Sequence, residues 1–247
     1  MRTSAWWCLL FLCLCACDQE EVNPSDLESG LVAYYPFNAS THDESGNNYH
    51  LTAHNTTFTQ DYSLKENKAI SLNGQTAGLD VPGLVKASKL THFTISLWAK
   101  PTLVLNKTFC LLSLFGQGGI NMDVNATEAG MLSANRLYVP MSEGFGIKPL
   151  SQLISAPAPG TWVHLVMGQS DEETFLYANG VKIKSIASTQ VPLSLETGGT
   201  IGYRIINAGN PELERQEDFF NGVLDNLRIY NRSLSSKEID YLFSRKD

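Results

Sequence analysis

Cysteine is scarce over most of this chain. Of its five cysteines, four fall within the first 17 residues and only Cys110 lies beyond them. The remainder therefore cannot close an internal disulfide. Positive charge is also thin: 18 Lys and Arg stand against 25 Asp and Glu, a formal charge of −7, with no basic cluster. That excludes recognition of a phosphate backbone, which needs a basic footprint. No apolar run approaches the roughly 20 residues of a membrane-spanning helix. There is no Gly-x-Ser-x-Gly elbow and no phosphate-binding glycine loop. A chain of 247 residues can still bury about 70% of its unfolded surface, so it needs no staple to hold a core. In Phe109-Cys110-Leu111-Leu112 the lone thiol reads as a small buried hydrophobe, not a nucleophile.

The first residues carry an address. Arg2 precedes the apolar run from Ala5 to Leu14, a signal-peptide pattern too short to span a bilayer. The run ends in Leu14-Cys15-Ala16-Cys17, which resembles the lipobox of bacterial lipoproteins. The resemblance implies removal of residues 1–16 and acylation of Cys17, which becomes the new N-terminus. A plain secretory signal with a chance cysteine is the alternative. Each buried CH₂ contributes about 0.8 kcal/mol, so two or three acyl chains anchor far more firmly than one. Residues 17–28 read as a polar, acidic tether beginning Asp18-Gln19-Glu20-Glu21. The acidic run resembles signals that send lipoproteins to the outer face of the outer membrane. An ordinary solvated linker reads the same way.

From Gly30 onward the chain consists of short β-patterned runs separated by turn residues, the signature of an all-β sandwich or barrel. Phe93, Ile95, Leu97 and Ala99 alternate with Thr94, Ser96 and Trp98, so the apolar set faces one way. Val163, Leu165 and Met167 form a second inward set. Asn179-Gly180 between Thr174–Ala178 and Val181–Ile183 predicts a hairpin with a type I′ turn. The last strand is expected over Val223 to Tyr230. Ser235-Ser236-Lys237-Glu238 predicts a capping box that opens a C-terminal helix.

Seven segments in order carry a more specific likeness. They are Leu31–Phe37 with Asp43–Asn48, Ala69–Gly74, Phe93–Pro101, Trp162–Leu165, Leu176–Gly180, Ile201-Gly202, and Phe220–Ser235. Together the chain resembles bacterial LamG domains of the concanavalin A-like class over about residues 28 to 245. The resemblance implies one antiparallel two-sheet jelly-roll β-sandwich over residues 29–247, with neighbouring first and last strands. The stretch 103–160 departs from the pattern.

The resemblance also implies a structural Ca²⁺. Asp225 shares parity with the apolar Val223, Leu227 and Ile229, where an unpaired carboxylate is costly. Asp43 lies in an oxygen-rich loop near Asn47. Two carboxylates plus loop oxygens suit a hard cation. The alternative is Asp225 capping backbone amides, with Asp43 a turn residue. His42, His50 and His54 do not make a zinc site by spacing, because i and i+4 lie about 13 Å apart in a strand. Asp123-Val124-Asn125 reads as a turn. Laminarinase-type enzymes carry Glu-x-Asp-x-x-Glu on a strand; here Glu238-Ile239-Asp240 matches only in part, and on the C-terminal helix.

Sugar binding needs aromatic platforms beside polar groups. Trp98, His164, Tyr177 and Tyr230 have outward parity on their strands. They suit ligand contact, and equally suit cover for a second apolar layer. The expected function is a non-catalytic, surface-displayed recognition module for a glycan. The alternatives are a structural or adhesive lipoprotein that binds a surface protein, and a glycan-degrading enzyme without a recognisable motif.

Overall fold

The computed structural model describes residues 22–102, 107–114, 120–126, 131–141, 144–155, 160–188, 192–206 and 210–245, with backbone alone for strands between 124 and 155. Apolar residues at alternate positions give each strand one face to bury, and two sheets share that burden. The strands are β1 Leu31–Tyr35, β2 Thr52–His54, β3 Thr57–Thr59, β4 Ala69–Asn73, β5 Gly78–Val81 and β6 Phe93–Pro101. They continue as β7 Thr108–Leu114, β8 Ile120–Ala126, β9 Met131–Met141, β10 Gly144–Ser155, β11 Val163–Gln169 and β12 Glu173–Ala178. The last are β13 Val181–Ala187, β14 Gly199–Ile201, β15 Arg204–Ile206, β16 Arg215–Glu217 and β17 Asn221–Tyr230, before helix α1, Ser236–Ser244.

The first sheet runs β13-β12-β11-β6-β17-β4-β3, with β1 also paired to β17. The second runs β10-β9-β8-β7-β14-β5-β2, and β15 with β16 forms a separate two-stranded arm. The stretch 103–160, which departs from the sequence pattern, supplies β7 to β10, four of the seven strands of the second sheet. Asp123 accordingly sits in strand β8 and not in a turn.

One core fills the space between the sheets. Phe93, Ile95, Leu97 and Ala99 of β6 meet Leu79 and Val81 of β5, Leu112 and Leu114 of β7, and Ile120 and Met122 of β8. Each fully buried side chain of this size contributes about 1.5–3 kcal/mol. Cys110 is buried, and burial pushes its thiol up. The expected hairpin is present, with Asn179 at φ 49° and Gly180 at φ 76° as a type I′ turn requires. The capping box forms as well: Ser235 Oγ accepts from the Glu238 amide, and Glu238 accepts from the Ser235 amide at 2.8 Å.

β17 departs from simple alternation. A bulge between Asp225 and Arg228 places Asn226 at φ 50°, and the reading frame slips there. Leu224, Leu227 and Ile229 enter the core. Asp225 lies opposite Trp98 and shares its outer face. Parity between Asp225 and Leu227 fails for this reason.

A third layer covers the outer face of the first sheet. Val166, Phe175, Tyr177 and Tyr230 pack there against Leu27 of the N-terminal turn (Pro24–Glu28) and Leu234, Ile239 and Leu242 around α1. Arg232, just after β17, clamps the turn at Pro24–Glu28, donating to the carbonyls of Ser29 at 2.7 Å and Asp26 at 2.8 Å. First and last strands are neighbours, as expected: β1 pairs with β17.

Candidate functional site

The four outward aromatic and histidine positions are sealed under this third layer. Trp98 is 8% exposed, Tyr177 6%, His164 1% and Tyr230 0%. Tyr62 stacks on Trp98 with ring centroids 4.6 Å apart, and Phe243 of α1 stacks on it at 5.8 Å. Ser96 Oγ lies 2.8 Å from His164 Nε2 inside this layer. Burial first, then Arg228, pulls the His164 pKa down to about 3. These side chains are cover for a second apolar layer, so the ligand-contact expectation for Trp98, His164, Tyr177 and Tyr230 is corrected. Parity places a residue on a face but does not say whether that face is open.

The expected cation ligands do not converge either. Asp43 is a hub for its own loop: it accepts from the amides of Tyr34 and Ser45 at 2.9 Å each, from Ser45 Oγ at 2.9 Å and from the Tyr49 amide at 3.0 Å. Asn47 donates to the Leu31 and Val32 carbonyls, and its amide oxygen accepts from Lys86. Tyr34 lies between the two acids, its amide on Asp43 and its hydroxyl donating to Asn226 Oδ1 at 2.9 Å. Asp225 belongs to a different place, a pocket of about 90 Å³ lined by Tyr34, Pro36, Asn38, Asp61, Lys65, Lys68 and Asn226. Its Oδ2 accepts from Asn226 Nδ2 at 3.2 Å, while Oδ1 is buried without a hydrogen-bond partner. Burial pushes its pKa up to about 8, and the Asp61 charge acts in the same direction. An orphaned buried carboxylate oxygen beside a second carboxylate and the Asn38 and Asn226 amides is a donor set that a hard cation takes, with Lys65 and Lys68 lining the same pocket. Among the described residues no three His, Cys, Asp or Glu side chains gather around one point. A cation here would therefore draw on amide and carbonyl oxygens as well.

The histidines go separate ways. His42 and His50 lie against each other at 4.6 Å, and His50 Nδ1 accepts from the Asp43 amide at 3.0 Å. His54 is on β2 at the far end of the second sheet.

That sheet has a polar outer face. On β8, Asn121 and Asp123 alternate with the core residues Ile120 and Met122; on β5, Asp80 lies between Leu79 and Val81. Ser113 of β7 donates to Asn121 at 2.6 Å. Pairing of β2 with β5 sets Thr52 opposite Asp80 and brings His54 Nε2 to 2.8 Å from Asp80 Oδ2. From the opposite side the β15–β16 arm folds over. The Tyr203 hydroxyl donates to Asp80 Oδ1, and the Tyr203 ring stacks on Phe219 at 5.5 Å and 15°. Burial, followed by Asp80, pushes the Tyr203 hydroxyl above its ordinary value, which fixes it as a donor. A Cβ at position 78 would stand 2.4 Å from Tyr203 Cδ1, so Gly78 is what lets the ring lie on the sheet. Beside it Arg204 pairs with Asp123 and lies 3.3 Å from Asp218.

Between β2, β5 and the arm remains a cleft of about 630 Å³, lined by His54, Asn55, Gln75, Thr76, Gly78, Asp80, Tyr203, Gln216 and Phe219. The side chains of His54 and Asp80 are about half exposed, at 47% and 48%. The cleft thus combines a half-buried ring, an accessible carboxylate and several amides. Sequence reading missed it because its walls come from distant segments. The legible signal was Asp80 alternating with Leu79 and Val81, and Phe219 beside the fully buried Phe220.

A family model of the concanavalin A-like lectin/glucanases superfamily matches residues 73–240. The chain belongs to this superfamily. Among curated proteins no relative matches it. Solved structures share the concanavalin A-like fold. Domain 4 of AbnA, an extracellular arabinanase of Geobacillus stearothermophilus in complex with arabinotriose, is 21% identical with a TM-score of 0.58; the match covers 86% of this chain and 97% of that one. The binding domain of Paraclostridial Mosquitocidal Protein 1 is 21% identical with a TM-score of 0.66, over 88% of this chain and 52% of that one. A botulinum neurotoxin type C structure, whose cell entry depends on two ganglioside molecules, is 14% identical with a TM-score of 0.68, over 90% and 52%. The chain spans about half the length of these toxin chains.

Proposed function

We propose that this concanavalin A-like chain is a non-catalytic carbohydrate-recognition module, held on the outer face of the outer membrane by lipid on Cys17. The observation that carries the glycan reading is the cleft itself, lined by the half-buried Phe219 together with Asp80, Gln75 and Gln216. A sugar's C–H face packs on an aromatic ring while its hydroxyls meet polar groups at the edge. Tyr203 is the positioning residue: it stacks behind Phe219 and holds one oxygen of Asp80. The arabinotriose-bound and ganglioside-dependent neighbours support a binding module of this fold. The non-catalytic reading is supported by neighbours that are binding domains; most glycosidases use two carboxyl groups about 5–10 Å apart. Asp80 is the single carboxylate of the cleft among the described residues.

The test is a panel of polysaccharides and oligosaccharides offered to the chain from Asp18 onward, scored for both binding and cleavage. Binding without product, lost at least tenfold in Phe219→Ala, is expected. Turnover, or binding indifferent to Phe219→Ala, overturns the reading. Cys17 lies outside the described residues. Cys17→Ala should abolish acyl labelling and release the protein from the membrane fraction; unchanged retention contradicts the anchor.

A structural Ca²⁺ belongs to the same proposal, moved from the Asp43 loop to Asp225. There Asp225, Asp61 and Asn38 would hold it, and its charge would relieve two neighbouring carboxylates.

A further inference from the structure

The charge pattern of the cleft goes beyond sugar recognition in general. Its lining holds one carboxylate, Asp80, and among the described residues no Lys or Arg. The two arginines of the neighbouring arm are matched to carboxylates of their own: Arg204 with Asp123 and Asp218, Arg215 with Glu217 at 3.1 Å. Each Asp80 oxygen takes part in one bond within the protein, one with Tyr203 and one with His54. A carboxylate has roughly four acceptor sites, so acceptor capacity remains on the cleft side. Sugar hydroxyls are donors that can fill it. A carboxylate on the glycan offers no donor and brings a second negative charge up to Asp80, with no guanidinium or ammonium in the lining to receive it. Gln75, Gln216 and Asn55 add neutral amides around the rim.

We infer that the cleft selects neutral oligosaccharides and rejects their acidic counterparts, sialylated or uronic. The inference rests on the glycan-binding reading and deepens it.

Matched pairs test it: lactose against sialyllactose, and galactotriose against trigalacturonic acid, with arabinotriose as a further neutral probe. Titrations use the chain from Asp18 onward, which contains every described residue. The neutral member of a pair should bind at least tenfold tighter. Gln216 is exposed, so its replacement leaves the fold intact. Gln216→Lys should raise the affinity for the acidic member at least tenfold relative to its neutral partner, and Gln216→Glu should widen the original gap. Equal or tighter binding of the acidic member by the unaltered chain overturns the neutral-ligand inference while leaving glycan binding standing. Failure of every neutral and acidic probe to bind overturns both.

Discussion

The two outer faces of the sandwich share one construction and differ in how they are covered. On the first sheet, Trp98, His164, Val166 and Tyr177 point away from the core, and α1, the N-terminal turn and Tyr62 close over them. On the second sheet, Asp80, Thr200, Asn121 and Asp123 point away from the core; Thr200, Asn121 and Asp123 are buried, and only Asp80 of the four stays about half exposed, at the cleft. The first face carries aromatic and aliphatic side chains beside Ser96 and His164, so covering it removes apolar surface from water at about 25 cal/mol per Å². The second is polar, and each group it buries has a partner: Arg204 for Asp123, Ser113 for Asn121 and the Tyr203 carbonyl for Thr200. The second face stays open at Asp80, and the cleft there is where a ligand can act.

Substitutions on the two faces should therefore separate stability from binding. The largest expected effect is on the closed face. Trp98→Ala removes the ring that Tyr62 and Phe243 stack on and should cost about 3–5 kcal/mol in denaturant unfolding. Glycan affinity of the fraction that remains folded should be unchanged; a specific loss there would place the ligand on the wrong face.

Next comes the Ca²⁺ proposed at Asp225. An ion at a hundredfold excess over its Kd stabilises by about 2.7 kcal/mol. At roughly 2–4 °C per kcal/mol, chelator should lower the Tm by about 5–10 °C. Asp225→Asn should melt like the chelated protein and respond little to chelator. A metal-free wild type indifferent to both chelator and Ca²⁺ contradicts the site.

A smaller effect follows from His164. Its folded pKa is depressed to about 3, against the ordinary 6.5. Between those values the unfolded chain binds the extra proton. His164's contribution is thus complete above pH 6.5 and is lost as pH falls toward 3. From pH 7.5 to 5.5 this amounts to about 1.4 kcal/mol. The pH slope of stability over that range should flatten in His164→Gln; an unaltered slope would mean that His164 does not titrate this way.

The smallest stability effect belongs to the open face. Gln216→Ala should change unfolding by about 0.5 kcal/mol or less, since surface positions away from caps and networks tolerate replacement. Phe219→Ala should cost somewhat more, about 0.5–1.5 kcal/mol for the stack on Tyr203, yet lose glycan binding. A large loss of stability in either variant would blur the distinction between the faces.

Local chemistry was legible where it was local. Asn179-Gly180 specified its turn, Ser235 and Glu238 their cap, and the alternation over 93–99 the core side of β6. The order of seven segments pointed to the superfamily. What could not be read was longer in range. Nothing in Asp225-Asn226-Leu227 announces that Asn226 takes a positive φ and reverses the parity of the acid before it. Tyr62 sits in a loop without periodicity, yet it is the lid on Trp98. Asp43 looked like a free ligand because its four partners, three of them backbone amides, lie in loop geometry. The cleft depends on β5 pairing with both β2 and β14 and on the β15–β16 arm with Tyr203 and Phe219, contacts that sequence order does not reveal.

The most direct test maps a bound sugar onto the two faces. Backbone amide shifts of the isotope-labelled chain should be followed as the best-binding neutral oligosaccharide is added. Perturbations should cluster at His54, Asn55, Gln75 to Asp80, Tyr203 and Gln216 to Phe219, leaving Tyr62, Trp98, Trp162 and Phe243 in place. Perturbations centred on those last four residues, with the cleft unmoved, would contradict the account.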